Sequence, residues 1–157
     1  MNETKEDSPL TSDDENDGES VEMSDCALNI LIVEDFEASS TIMSSSLRFC
    51  RSATCVVAKS GSEALILLRT GSTKFDVILS DVLMPEMNGI ELITKIREFE
   101  VATCCPQHII IAMSADEMFS ESCIKAGATL FLHKHKKPMC GVFKVLDELR
   151  KSRRSSI

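Results

Sequence analysis

The sequence predicts an α/β domain in which five parallel strands alternate with five helices in a doubly wound sheet. Five short apolar runs recur along the chain, and segments with helical spacing of apolar residues separate them. Runs such as Ile109-Ile110-Ile111 are almost continuous in large aliphatic side chains, which is typical of strands covered on both faces. A strand–helix–strand succession of this kind builds a parallel sheet with right-handed crossovers.

The individual elements follow from these patterns. The apolar runs predict strands at residues 28–33, 53–58, 75–79, 108–113 and 129–132. Apolar stripes predict two helices, one with Leu92, Ile93, Ile96 and Phe99, and one with Val142, Val145, Leu146 and Leu149. A further helix is predicted to begin at Ser60-Gly61-Ser62-Glu63 and to end at Gly71.

The negative charge of the chain is concentrated near its N-terminus. Residues 1–27 contain ten acidic residues and only Lys5 as a base, a net charge of −9, whereas residues 28–157 carry a net charge of +1. We expect residues 1–27 to form a disordered acidic tail, because they have few large apolar side chains to offset the entropy of ordering. The folded domain is predicted over residues 28–150, and the basic end, residues 151–157, is expected to fray.

The composition also argues against several classes of partner. No apolar run approaches the roughly 18 residues of a membrane helix, and residues 1–10 lack the apolar stretch of a signal peptide. No strongly basic face is expected in the domain, and the acidic tail would repel phosphates, so nucleic acid is not an expected partner. The seven cysteines include no CxxC pair and indicate reduced thiols. We expect a soluble cytoplasmic protein with no membrane partner.

Polar residues follow four of the five predicted strands, where sheets of this kind bind ligands. They are Glu34 and Asp35 after the first strand, Asp81 after the third, Ser114-Ala115 after the fourth and Lys134 after the fifth. Three carboxylates at one edge repel one another unless a cation neutralises them. A set of oxygen ligands suits Mg²⁺ better than zinc. A hydroxyl and an ammonium group facing the same point suit an anion such as a phosphoryl group.

These residues also carry a family resemblance. Four stretches of the sequence strongly resemble the receiver domain of two-component response regulators: Val33-Glu34-Asp35-Phe36, residues 80–89 (SDVLMPEMNG), Met113-Ser114-Ala115 and Gly127-Ala128. The resemblance covers about residues 28–150, and its most specific part is D-x-x-M-P-x-M-x-G. It implies a flavodoxin-like sheet with strand order 2-1-3-4-5, in a stand-alone receiver similar to the single-domain chemotaxis regulators.

The resemblance implies a role for each acidic residue. Asp81 is expected to accept a phosphoryl group from the phosphohistidine of a histidine kinase or histidine phosphotransfer protein. Asp35 is expected to ligate Mg²⁺ directly, together with Asp81 and the backbone carbonyl of Leu83. Glu34 is expected to act nearby or through water. An aspartate nucleophile suits this reaction, because phosphoryl transfer depends on positioning and charge neutralisation.

The remaining site residues form the expected switch. Ser114, followed by Ala115, takes the place of the family's switch hydroxyl, and Phe131 takes the place of its aromatic switch residue. The family has Lys-Pro directly after the fifth strand, whereas this chain has LHKHKKP over residues 132–138. Counting from Gly127-Ala128 favours Lys134 as the phosphate-binding lysine, and matching the Lys-Pro dipeptide gives Lys137 as the alternative.

The expected activity is a switch and not an enzyme, apart from the chain's own phosphorylation and dephosphorylation. Its output would be partner binding on a face made by residues 116–126, 129–132 and 138–149, or relay of the phosphoryl group. One alternative is a Mg²⁺-dependent phosphohydrolase, which typically has a second aspartate where this chain has Leu83. Another alternative is a degenerate receiver that acts as a constitutive binding module, which Glu34 and the interrupted Lys-Pro would favour.

Overall fold

The structure, a computed structural model, describes residues 27–51 and 53–156. They form five strands: β1 (Asn29–Val33), β2 (Thr54–Ala58), β3 (Val77–Asp81), β4 (Ile109–Ser114) and β5 (Leu130–His133). The helices are α1 (Glu37–Arg51), α2 (Gly61–Thr70), α3 (Gly89–Thr103), α4 (Ser120–Ala126) and α5 (Pro138–Ser155), and a 3₁₀ turn (Glu117–Phe119) precedes α4. The predicted tail, residues 1–27, lies outside the described residues except for Ala27.

The five strands form one parallel sheet in the order β2-β1-β3-β4-β5, as predicted. Since all strands run in the same direction, their last residues lie along one edge, which we call the carboxyl edge. The first residues of the strands lie along the opposite edge, which we call the amino edge. The strand order places β1 and β3 side by side at the centre of the sheet, and β4 separates β3 from β5.

Each face of the sheet packs against helices to form an apolar layer. On one face, Leu31, Ile78 and Ile110 belong to a buried cluster with the apolar sides of α2 and α3. On the other face, α1 and α5 cover a second cluster through Leu47 and Leu146. Burying each such side chain stabilises the fold by about 1.5–3 kcal/mol. All five residues of β3 are buried, which explains its lack of alternating polar residues.

The predicted boundaries of α2 are confirmed. The Ser60 hydroxyl accepts a hydrogen bond from the Glu63 backbone N–H at 3.1 Å, which caps the start of the helix. Gly71 ends the helix with a φ of 62°, in the left-handed region that glycine adopts without strain. No helix of the described residues is both long and apolar enough to cross a membrane.

The structure adds to two of the predicted helices. In α3 the stripe of buried residues continues from Ile96 to Glu100, and Phe99 is only half-buried, because a residue four positions along faces the same side of a helix. The final helix continues to Ser155, so residues 151–155 are helical where a frayed end was predicted. An ion pair between Arg153 and Asp76 attaches this last turn to the sheet.

Candidate functional site

Three carboxylates meet at the carboxyl edge of the sheet, as the sequence predicted. Glu34 and Asp35 follow β1, and Asp81 is the last residue of the neighbouring strand β3. One carboxylate oxygen of each residue lies within 4.8 Å of the others, and we call this group the carboxylate cluster. Glu34 is 2% exposed and Asp81 is 6% exposed, whereas Asp35 is exposed to solvent. Among the described residues, the possible metal ligands of this cluster are all oxygens, so the donor set fits Mg²⁺.

Of the two candidate lysines, Lys134 reaches the carboxylate cluster. Its Nζ lies 2.9 Å from Oε2 of Glu34 and 2.9 Å from Oδ2 of Asp81. Its backbone N–H donates to the Ser114 carbonyl at 2.8 Å, which holds the start of the β5–α5 loop beside β4. Lys137 is exposed and stands at the start of α5. The count along β5 therefore located the lysine that meets the cluster, and the Lys-Pro match did not.

Burial and charge act together on these groups. Burial raises the pKa of the Glu34 carboxyl above its usual value, and the hydrogen bond from Lys134 only partly opposes this effect. Burial alone would lower the pKa of Lys134, but its hydrogen bonds to Asp81 and Glu34 outweigh burial and raise that pKa. Lys134 therefore remains an ammonium group. One ammonium group offers a single positive charge to three carboxyl groups, so the cluster favours a further cation.

The loop after β3 brings α3 close to Asp81 and needs glycine at one position. A Cβ atom on Gly89 would lie 2.3 Å from the Asp81 carbonyl oxygen and 2.8 Å from the Val82 Cα. The Gly89 N–H also donates to the Val82 carbonyl at 2.8 Å. This contact between backbones explains the last position of D-x-x-M-P-x-M-x-G. The Leu83 backbone N–H lies 3.4 Å from Oδ1 of Asp81, so its peptide belongs to the same site.

The predicted switch residues lie at the end of β4, directly after it, and on β5. Ser114 ends β4 at the carboxyl edge and is 1% exposed, and its Oγ accepts a hydrogen bond from the Asp116 N–H at 3.1 Å. Ala115, the next residue, is exposed. Phe131 pairs with Ala112 across the β4–β5 ladder and packs, half-buried, against the core on the α3 side. Ser114 lies beside the strand that carries Asp81, whereas Phe131 lies one strand farther away and within β5.

A buried polar group that the sequence analysis missed joins α3 to β4 and α4. The Glu100 carboxylate accepts hydrogen bonds from Arg97 Nη1 at 2.7 Å and from the His108 backbone N–H at 2.8 Å. Nδ1 of His108 lies 2.7 Å from the same carboxylate. Arg97 also donates from Nε and Nη2 to the Gly127 carbonyl after α4, at 2.9 and 2.7 Å. We call these four residues the Glu100 clamp; its signal in the sequence is a glutamate in an apolar stripe.

Comparison with known proteins settles the family. The family model for the response regulator receiver domain matches residues 30–140. The chain belongs to the response regulator receiver domain family. The predicted resemblance and fold class are both confirmed, and receivers of this kind act in two-component and phosphorelay signalling. Receiver domains bind Mg²⁺ at an acidic pocket, which in this receiver corresponds to the carboxylate cluster.

Curated relatives include plant response regulators. The chain is 39% identical to the two-component response regulator ORR42 of Oryza sativa over 109 residues, which are 69% of this chain and 78% of the relative. It is 34% identical to the two-component response regulator ARR22 of Arabidopsis thaliana over 84 residues. That match covers 54% of this chain and 58% of the relative, so the chain spans little more than half of the ARR22 length.

Solved structures of receiver domains share the fold. One is a co-crystal structure of the Saccharomyces cerevisiae histidine phosphotransfer signaling protein Ypd1 and the receiver domain of its downstream response regulator Ssk1, with a TM-score of 0.70 and 27% identity. The match covers 81% of this chain and 91% of that chain. Another is the receiver domain of the Arabidopsis thaliana histidine kinase CKI1 complexed with Mg²⁺ and BeF₃⁻, with a TM-score of 0.64 and 27% identity over 77% and 90% of the two chains.

Proposed function

We propose that this receiver accepts a phosphoryl group on Asp81 from the phosphohistidine of a histidine kinase or a histidine phosphotransfer protein, in a reaction that requires Mg²⁺. The observation that carries the proposal is the arrangement around Asp81. Its carboxylate lies at the carboxyl edge beside two further carboxylates and 2.9 Å from the Lys134 ammonium. A nucleophile with positive charge beside it suits phosphoryl transfer, whose barrier is lowered chiefly by positioning and electrostatic stabilisation.

Each group has a defined part in the proposed reaction. An oxygen of the Asp81 carboxylate attacks phosphorus, the bond from phosphorus to the donor imidazole breaks, and an aspartyl phosphate forms. Lys134, already paired with Asp81, neutralises charge on the phosphoryl oxygens. The Ser114 hydroxyl accepts its hydrogen bond from Asp116, which leaves its own hydrogen available to donate to one of those oxygens.

The metal-binding part of the proposal rests on the carboxylate cluster. Asp35 and Asp81 would hold Mg²⁺ with the Leu83 carbonyl, and Glu34 would contact it directly or through water. Bound Mg²⁺ would supply positive charge in addition to that of Lys134. Asp35 is the exposed member of the cluster and is therefore open to a partly hydrated ion, which Mg²⁺ usually remains in proteins.

Two features support a protein phosphodonor. Phe36 directly follows Asp35, and Leu83 is two positions after Asp81; both are large apolar side chains, 65% and 57% exposed. Exposed apolar side chains around a polar centre are typical of protein-binding surfaces. The receiver domain of Ssk1, which shares this fold, forms a complex with the histidine phosphotransfer signaling protein Ypd1. We propose such a partner for this chain, with a cytoplasmic location that the free thiols of the described cysteines support.

The proposed output is a change in partner binding, or onward relay of the phosphoryl group. The output face consists of residues 116–126, 129–132 and 138–149. The phosphohydrolase alternative lacks support, since the residue two positions after Asp81 is Leu83 and carries no acid or base. The degenerate-receiver alternative is also weakened, because Lys134 contacts Asp81 in spite of the interrupted Lys-Pro.

Phosphotransfer to Asp81 is the test of the proposed function. We expect the chain to be labelled by acetyl phosphate or a phosphorylated histidine phosphotransfer protein when Mg²⁺ is present, and labelling to be lost in Asp81→Asn or after chelation of the metal. Asp116→Asn is the matched control, because Asp116 is an exposed carboxylate near the same edge that makes no contact with the cluster. Labelling that resists hydroxylamine, which cleaves an acyl phosphate, or labelling that persists in Asp81→Asn, would contradict the proposal.

A further inference from the structure

The two edges of the sheet differ in charge. Helices of this fold begin at the carboxyl edge and end at the amino edge, because the parallel strands run the other way. The last turns of four helices carry basic residues: Arg48 and Arg51 in α1, Arg69 in α2, Lys125 in α4, and Arg153 and Arg154 in α5. The carboxyl edge instead holds the carboxylate cluster.

Part of the positive charge at the amino edge has no acidic partner in the folded domain. Lys74, in the loop before β3, and Arg154, in the last turn of α5, are both exposed. Within residues 27–51 and 53–156, no carboxylate forms an ion pair with either side chain. Arg153 is paired with Asp76, but its side chain is still 45% exposed. We call Lys74, Arg153 and Arg154 the basic patch.

The N-terminal segment enters the domain beside this patch. The backbone N–H of Asn29, the first residue of β1, donates to Oδ2 of Asp76 at 2.7 Å, and the other oxygen of the same carboxylate pairs with Arg153. One carboxylate therefore joins the start of β1 to the end of α5. Asp25 is four residues before Asn29, so an extended chain places it within about 14 Å of this point.

We propose that residues 13–25 dock on the basic patch of the same chain. This segment contains seven acidic residues and no basic residue, and it is the part of the acidic segment nearest to the point of entry. Attachment to β1 gives the segment a high effective concentration at the patch, in the millimolar range for short linkers, so individually weak ion pairs suffice.

Carbodiimide cross-linking of the full-length chain tests the docking, because it joins carboxylates to lysine amines that are in contact. Mass spectrometry is expected to find residues 13–25 linked to Lys74 at least fivefold more often than to Lys59 or Lys137. These two lysines are exposed at the carboxyl edge and serve as internal controls. The preference should disappear on going from 0.01 to 1 M NaCl, since the Debye length falls from about 30 Å to 3 Å.

A pair of charge-matched variants separates docking from simple proximity. Arg154→Gln removes one cation of the basic patch and should lower the Lys74 cross-links at least twofold, whereas Lys137→Gln removes an equally exposed cation at the other edge and should not. The proposal is overturned if the Lys74 cross-links change neither with salt nor in Arg154→Gln. It is also overturned if Lys74, Lys59 and Lys137 are cross-linked equally often. Links found only in dimers, in proportion to protein concentration, would also overturn it, because the segment would then bind a second copy.

Discussion

The side chain of Lys134 connects the two buried carboxylates of the site. Glu34 and Asp81 would otherwise repel each other in a region where burial already raises the pKa of Glu34. The single ammonium at 2.9 Å from both carboxylates removes much of that repulsion in the unphosphorylated receiver. The same charge is in position to neutralise a phosphoryl group on Asp81. One residue thus stabilises the resting site and prepares it for the proposed reaction.

At this scale, the two candidate lysines make the sharpest test. We expect Lys134→Gln to slow phosphorylation at least tenfold, equivalent to about 1.4 kcal/mol of transition-state stabilisation, because the charge beside Asp81 is lost. Lys137→Gln should leave the rate within about twofold of wild type, since that side chain is exposed and forms no hydrogen bond with the carboxylate cluster. Initial rates with one phosphodonor and saturating Mg²⁺ measure both. If only Lys137→Gln slows phosphorylation, the phosphate-binding lysine is Lys137, as the Lys-Pro match suggested.

At the scale of the elements, the Glu100 clamp determines how α3, β4 and the end of α4 fit together. Burial alone would raise the pKa of Glu100, but hydrogen bonds from His108 and Arg97 outweigh burial and lower that pKa. Arg97 extends the contact to Gly127, which ends α4 in a left-handed conformation with a φ of 111°. The clamp therefore limits the movement of α4, an element of the proposed output face, relative to the sheet.

Removing the clamp carboxylate should destabilise the domain. Glu100→Gln leaves Arg97 without its buried partner, and a loss of about 3 kcal/mol from the free energy of unfolding is expected. Glu91→Gln is the matched control on the same helix, because its salt bridge with Lys95 is at the surface at 3.6 Å and contributes less than about 0.5 kcal/mol. Urea titrations of the two variants measure both changes in the free energy of unfolding. Equal losses would show that the buried clamp contributes no more to stability than the surface salt bridge.

The clamp also predicts a pH dependence. Because the pKa of Glu100 is lower in the folded domain than its usual 4.5, its stabilisation is complete above that value and is lost as the pH falls through the folded pKa. Wild type should therefore lose more stability than Glu100→Gln between about pH 5 and pH 3. The measurement is the free energy of unfolding of both proteins from urea titrations at each pH. If it falls equally with pH in the two proteins, the ion pair between Glu100 and Arg97 is contradicted.

At the scale of the whole molecule, the proposed phosphorylation at the carboxyl edge would have to alter the proposed output face, which lies farther away. A phosphoryl group adds roughly −1.5 to −2 charge and new acceptor oxygens at Asp81. Ser114, at the end of the adjacent strand, can turn toward those oxygens and draw its loop inward. Phe131 lies on the next strand and has no hydroxyl, so packing alone decides its orientation. Coupling from Asp81 to the output face would therefore run from Ser114 to Phe131.

Backbone amide NMR with a beryllofluoride mimic checks this coupling. Chemical-shift changes should extend from the Asp81 site to Phe131 and to α4 in wild type, and Ser114→Ala should confine them to the site. Ser80→Ala is the control, because this buried serine beside Asp81 donates its hydroxyl to the Asp81 carbonyl at 2.9 Å and not toward a ligand. If changes reach Phe131 equally well in Ser114→Ala, the coupling does not depend on that hydroxyl.

The sequence alone determined the strands, the sheet class and the main members of the site. Apolar runs mark buried strands directly, and residues at strand ends meet at one edge whenever the strands are parallel, so Glu34, Asp35 and Asp81 could be grouped without coordinates. The requirement for Gly89 was visible as a motif, although its cause, a 2.3 Å approach to the Asp81 carbonyl, was not.

Only the tertiary structure decided the contacts between residues far apart in the chain. Lys134 and Glu34 are 100 positions apart, and although counting along the fifth strand favoured Lys134, only the structure decided between it and Lys137. Glu100 could be buried only because Arg97 and His108 converge on it, and α5 could continue to Ser155 because Asp76 meets Arg153 across 77 positions. The physical reason is the same in each case: the energy of a charged group depends on its partners in space, which the order of residues does not specify.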